Sequence, residues 1–277
     1  MAYNYSKKKI MYDYSKKDLV IALKKVGLKK NDIIICHSNV SRFGLPKGGL
    51  TKKNIYRTIF KAFFEVVSST GTLIIPTFTY SFSKGEIYDP LKSKNICGLF
   101  SEEFQKQKNI KRYLDPNQSF LVFGKYKKFF CSKPSLNSYD DNSMWARLLK
   151  KNSKICNLNL NAGSTFIHYV EKKIGVSYRF DKTFTGIIKD GNKNKKSKST
   201  LFVRKLNRKQ NLAQFEIFTN IAKKKKFYKR SRVGKGFVGL ISCKNTFRLI
   251  AEEIKKNPFF LTESDKRYKS LKKNNVN

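Results

Sequence analysis

The chain has 277 residues, 40% apolar and 14% aromatic, enough to bury one large core. Lys plus Arg number 60 against 19 Asp plus Glu, a formal charge of +41 that excludes a neutral surface. The excess is 49 Lys against 11 Arg. The planar fork that reads phosphates and guanines is therefore scarce, and the bias reads more readily as compositional drift than as a nucleic-acid footprint.

In chain order, Ser15 caps a helix whose apolar face is Leu19, Ile21, Ala22 and Val26, ending at Gly27. Asp32–His37 is an apolar run of strand length, followed by the Gly-rich loop RFGLPKGG. A strongly periodic helix over Thr51–Ser69 leads into a second buried strand, GTLIIPTF, stopped at Pro76. A long loop over Thr79–Lys94 and a short helix over Leu99–Lys106 follow. Ser119–Gly124 reads as a third strand, MWARLLK as a helix and Ser153–Leu160 as a fourth strand; Ser164–Lys173 is a capped helix. The polar stretch Gly191–Thr200 predicts a mobile basic surface loop between two late strands. A helix (Leu212–Lys223), a strand (Gly236–Ser242) and a helix (Thr246–Lys256) close the pattern.

Strands alternating with helices predict an α/β protein, a three-layer α/β/α sandwich around a mostly parallel or mixed sheet. Neither a linker nor an internal repeat divides the chain, so one domain over residues 1–277 is expected. The opening MAYNYSKKKIMYDYSKKDL has no apolar core of signal-peptide length, and no apolar run reaches the ~18 residues of a membrane span. Five scattered cysteines without CxxC spacing and only two histidines argue against zinc. A cytoplasmic protein without metal or membrane span is expected.

Imidazole chemistry has two candidates, His37 and His168. Thr165, His168 and Glu171 are three residues apart each, so on a helix they share one face. A carboxylate beside an imidazole orients it and stabilises the imidazolium, as a general base requires; an ordinary surface pair has the same spacing. His37 and Ser38 end a strand where ligands of α/β sheets commonly bind. Gly48 and Gly49, before a helix capped by Thr51, could turn backbone N–H groups to a phosphate or simply form a β–α turn. Cys36 and His37 alternate faces of a strand, which leaves no Cys–His nucleophile pair there.

HSNVSRFGLPKGG, GTLIIPTFTY, the Asp89-Pro90 pair, GLFSEEF, RYLDPNQS with FG beyond, and TFIHYVE occur in one order. In that order and spacing the chain resembles the aminoglycoside 3-N-acetyltransferase family, from about Leu19 to Lys256. The resemblance implies acetyl-CoA as donor and base work by His168 and Glu171, with Thr165 in the same motif. It implies a coenzyme site at His37, Ser38, Gly48, Gly49, Pro76 and Thr77, to which Ser119 is added as a further candidate; backbone N–H groups or hydroxyls such as those of Thr165 and Ser119 are the candidates for stabilising the oxyanion. Where antibiotic-modifying members carry His-Pro, this chain has Asp115-Pro116, as do relatives associated with cell-surface polysaccharide synthesis. Asp115 and Glu102 are the acceptor-side candidates.

The resulting expectation is N-acetylation of a small-molecule amino sugar. A nucleotide-linked or glycan acceptor is favoured over an aminoglycoside antibiotic, because a basic field repels polycations. A nucleic-acid-binding protein and a non-catalytic relative are the alternatives.

Overall fold

The computed structural model describes residues 11–191, 193–206 and 212–274. The first ten residues of the basic opening segment, and Asn192, lie outside the described residues.

Helix α1 (Lys16–Lys25) starts at a capping box in which the Ser15 hydroxyl and the Asp18 carboxylate satisfy each other's backbone N–H. Strand β1 (Ile33–Ser38), a short 3-10 turn (Val40–Phe43) and α2 (Lys52–Val67) follow. Next come β2 (Thr72–Pro76), a second 3-10 turn (Phe82–Lys84) and α3 (Leu99–Gln105). The chain then forms β3 (Lys111–Tyr113), β4 (Phe120–Gly124), α4 (Lys127–Phe130), α5 (Met144–Lys150), β5 (Lys154–Leu158) and α6 (Phe166–Ile174). After a hairpin of β6 (Arg179–Asp190) and β7 (Lys193–Arg204) come α7 (Glu216–Lys224), β8 (Lys229–Val233), β9 (Gly236–Ser242), α8 (Cys243–Lys256) and α9 (Lys266–Asn274).

Seven strands form one mixed sheet in the order β3-β4-β2-β1-β5-β9-β8. β1 lies parallel to β2 and β5 at the centre, while β4 and β9 run antiparallel outside them. Alternation along the strands sorts the core into two layers. Ile34, Cys36, Leu73, Ile75 and Leu121 pack with α1, α2 and α3 on one face. Ile33, Ile35, Ile74, Phe120, Val122 and Ile155 pack on the other face with α5, α6, α7 and α8. Sheet and helices thus make the expected three layers.

Two expectations are corrected here, and β3 is a strand that was not expected. Strand β3, three residues long, lacks any run that could mark it. The helix expected from Thr246 begins at Cys243, because the Ser242 hydroxyl accepts the Asn245 N–H as its cap. The largest correction concerns Gly191–Thr200: β7 starts at Lys193 and pairs with β6 residue by residue, from Arg179–Arg204 to Asp190–Lys193. Polarity hid the strand because its outer half faces solvent. Buried Leu201 and Phe202 anchor its inner half.

Candidate active site

Helix α6 carries the central pair. Its i,i+3 spacing puts His168 Nδ1 2.6 Å from Glu171 Oε2. The Glu171 side chain is 1% exposed and that of His168 20%, so the imidazole separates a buried carboxylate from solvent. Gly175 closes the helix in the left-handed region (φ 80°), and its N–H returns to Glu171 and Lys172 carbonyls. This reversal brings two further residues onto the same carboxylate. The Tyr178 hydroxyl donates to Glu171 Oε1 at 2.7 Å, and Arg179 Nε lies 2.8 Å from Glu171 Oε2. Arg179 Nη1 is fixed on the Phe202 carbonyl at 3.1 Å. Burial alone would push the Glu171 carboxyl up; His168, the Arg179 charge and the Tyr178 hydroxyl together hold it below its ordinary value. Glu171 is therefore ionised, with its charge aimed at the imidazole.

Aromatic walls hold the ring. Tyr139 meets His168 edge to face at a centroid distance of 6.2 Å, and Phe215 lies 6.3 Å away on a tilt. Tyr139 is itself fixed: Gln118 Nε2 donates to its hydroxyl at 2.6 Å, and Trp145 Nε1 donates to Gln118 Oε1 at 3.3 Å. Tyr80, beside this network, adopts φ 54°, a left-handed conformation that costs a bulky side chain energy and often marks functional sites. Sequence reasoning missed Tyr80, Gln118, Tyr139, Tyr178, Arg179 and Phe215. Only the left-handed glycine after the helix could have hinted that Tyr178 and Arg179 return to Glu171.

A second polar group sits at the C-terminal ends of β1 and β5. His37 and Asn157 are register partners on these strands. The Asn157 amide donates to the Asn161 and Gly163 carbonyls just before Ser164 and Thr165 at the start of α6. His37 Nε2, Asn157 Oδ1 and Ser164 Oγ are buried without a hydrogen-bond partner. Thr165, half-buried, stands at the helix N-cap with its side chain free of any capping bond. Burial pulls His37 down to about 4 from its ordinary 6.5. The folded chain thus keeps it neutral where the unfolded chain takes up a proton, and stability is lost as pH falls from about 6.5 toward 4. Urea unfolding across this range should show that loss, and His37→Gln should flatten it; an unchanged slope in the variant would refute the assignment.

Other expected site residues lie elsewhere. Ser119 is fully buried, and its hydroxyl donates to the Thr77 carbonyl at 2.6 Å while accepting from Arg112 Nη2 at 3.0 Å. In this arrangement its proton is committed to the Thr77 carbonyl rather than turned to an oxyanion. The Pro76 carbonyl accepts from Ser101 Oγ at 2.9 Å, and Thr77, fully buried, faces Ser119. Gly48 and Gly49 adopt φ 91° and 94°, and the Gly49 N–H donates to the Pro46 carbonyl at 3.1 Å. This is a β–α turn folded onto Asn54, whose amide donates to the Lys47 and Gly49 carbonyls, so the Gly49 N–H is not turned to a phosphate. Ser38, half-buried, ends β1 opposite Leu158.

Asp115 is 2% exposed. Its carboxylate accepts from the Asn117 and Gln118 N–H groups and from the Ser138 and Ser199 hydroxyls. With those donors it ties the β7 strand to the loop carrying Gln118, so the structure places this acceptor-side candidate in a buried hydrogen-bond cluster. Glu102 is half-buried on α3, whose buried Phe100 and Phe104 belong to the core layer opposite α6.

The aminoglycoside 3-N-acetyltransferase family matches residues 35–255, most of the chain and all of the site just described. The chain belongs to this family. It is 26% identical over 184 residues to the SPbeta prophage-derived aminoglycoside N(3')-acetyltransferase-like protein YokD of Bacillus subtilis (strain 168). That alignment spans 58% of this chain and 65% of the relative's length. The fold is similar to that of aminoglycoside acetyltransferase AAC(3)-Xa, with a TM-score of 0.76 and 16% identity over 87% of this chain and 93% of that one. It is also similar to AAC-IIIb in a binary complex with CoASH, with a TM-score of 0.74 and 18% identity over 87% and 96%.

Proposed function

We propose that the protein is an acetyl-CoA-dependent N-acetyltransferase acting on the amino group of a sugar. The observation that carries this reading is the His168–Glu171 pair: a half-open imidazole on a buried, ionised carboxylate, in a chain of this family. Coenzyme A bound in the similar AAC-IIIb structure supports the donor. So do the unpartnered His37 Nε2, Asn157 Oδ1 and Ser164 Oγ beside the N-terminus of α6, a lining that suits the amides and thioester of an acyl-pantetheine arm.

Acetyl-CoA supplies the activated acyl group. With His168 Nδ1 held by Glu171, Nε2 is the ring nitrogen that takes the amine proton as the amine nitrogen bonds to the carbonyl carbon. Glu171 stabilises the charge that develops on the ring. The C–S bond breaks, and the proton passes from His168 to the departing thiolate. General-base help of this kind contributes roughly 10²–10⁴-fold.

No cysteine is placed for an acyl-enzyme. Burial pushes the Cys97 thiol up to about 11 and Cys131 up to about 12 and raises Cys36 and Cys243 as well, while Cys156 is fully buried. Double-reciprocal plots should therefore intersect, and thiol alkylation under native conditions should spare activity. An acetyl-cysteine trapped by mass spectrometry would overturn the direct route.

For the acceptor, a net charge of +41 disfavours approach by a polycation and favours an anionic amino sugar, either nucleotide-linked or part of a glycan. Turnover should be compared across nucleotide amino sugars, free amino sugars and aminoglycosides at low and high salt. Preference for the anionic acceptor is expected to shrink as salt screens the field. Turnover of aminoglycosides alone would overturn this acceptor assignment.

A further inference from the structure

The β6–β7 hairpin is fastened to the body at two places. Near its tip, the Tyr88 N–H donates to the Ile187 carbonyl and the Lys189 N–H to the Tyr88 carbonyl, each at 2.9 Å. Further down β7, the Ser138 N–H donates to the Thr200 carbonyl at 2.9 Å and the Thr200 N–H to the Leu136 carbonyl at 2.7 Å. Between these two seams lies a cleft of about 320 Å³, within the range of small-molecule sites. Its walls are apolar: Ile188 comes from the hairpin, Leu114 and Pro116 from the segment after β3, and Pro134 and Leu136 from the loop before α5. Leu136 remains 62% exposed and Leu114 40% exposed, a large apolar cost for a surface that meets only water.

Four lysines line the cleft: Lys133 from the loop before α5, and Lys189, Lys195 and Lys198 from the hairpin. Among the described residues none of them is in an ion pair, and no acidic residue lines the cleft. Asp89, whose charge reaches Lys189, is committed to the Leu91 and Lys92 N–H groups. Strand alternation places Ile188, Lys195 and Ser197 on the same hairpin face as Ser199, which is buried against Asp115, so Lys195 belongs to the face turned toward the body, while Lys189 and Lys198 alternate to the other face.

We propose that this cleft binds a nucleoside diphosphate group, the ring lying on the proline and aliphatic walls and the phosphates on the lysines. Apolar walls with a cationic edge match a ligand that is planar at one end and doubly charged at the other. Walls seamed by backbone hydrogen bonds at both ends suit one small molecule rather than a polymer track. The binding itself does not depend on acetyl transfer. The group could belong to a nucleotide-linked acceptor or to the coenzyme.

Calorimetric titration of the full chain with uridine diphosphate and adenosine diphosphate tests the site. Saturable binding is expected, weakened by about tenfold or more in the Lys133→Ala/Lys195→Ala double variant and unchanged in His168→Ala. Both lysines are exposed, so their removal touches no core packing. Competition by coenzyme A, with a raised KM for acetyl-CoA in the double variant, would assign the group to the coenzyme. Simultaneous binding of coenzyme A, with a raised KM for acceptor alone, would assign it to the acceptor. Equal affinity in wild type and double variant would overturn the proposal. So would inorganic diphosphate binding as tightly as the nucleotides, an oligonucleotide binding tighter than either, or no binding. Nucleotide binding without any acetyl transfer would leave the cleft standing while the proposed activity failed.

Discussion

Glu171→Gln is expected to be the most destabilising single substitution at the site. The carboxylate is buried and ionised, and the Arg179 side chain beside it is only 8% exposed. A neutral amide still accepts from Tyr178, but it leaves the guanidinium without its counter-charge. Removing one partner of a buried ion pair costs roughly 3–5 kcal/mol, because the survivor stays desolvated and unpaired. Denaturant unfolding should show a loss of that size. Adding Arg179→Met should recover much of the stability without restoring turnover, because the imidazole still lacks its carboxylate. Stability in Glu171→Gln equal to wild type would mean that the pair is not buried as described.

His168→Ala should produce the larger catalytic effect with little change in stability, since the ring is partly exposed and meets Tyr139 edge-on and Phe215 on a tilt, at centroid distances of 6.2 and 6.3 Å. Turnover should fall by at least roughly 10²-fold, while the dissociation constant for coenzyme A changes little. Glu171→Gln should retain more activity than His168→Ala, because an unsupported imidazole can still take a proton. The reverse ranking would make Glu171 the base and His168 its support.

The contact between His168 and Glu171 was readable from the chain because both lie three residues apart on one amphipathic helix, where spacing determines contact. Tyr178 and Arg179 were not, because they reach Glu171 only after Gly175 turns the chain back on itself. Gln118 and Tyr139 join the site through tertiary packing that no local period encodes. Strand periodicity likewise revealed the central β1, β2, β4, β5 and β9, whose residues are apolar on both faces. It failed for β7, where an exposed outer half lets lysines fill a strand whose backbone is paired throughout. Asp115 looked like a departure at an acceptor site; its four donors show a buried tie between the hairpin and the Gln118 loop. Family motifs report position in a fold, and burial then decides whether a side chain meets ligand or protein.

The most direct measurement is acceptor-dependent release of the coenzyme A thiol from acetyl-CoA, run side by side with wild type and His168→Ala over a panel of amino sugars. Wild type is predicted to release one thiol for each N-acetyl group formed on at least one acceptor, with His168→Ala slower by at least roughly 10²-fold. Equal rates in the two proteins, or no acceptor-dependent release by wild type, would contradict the account.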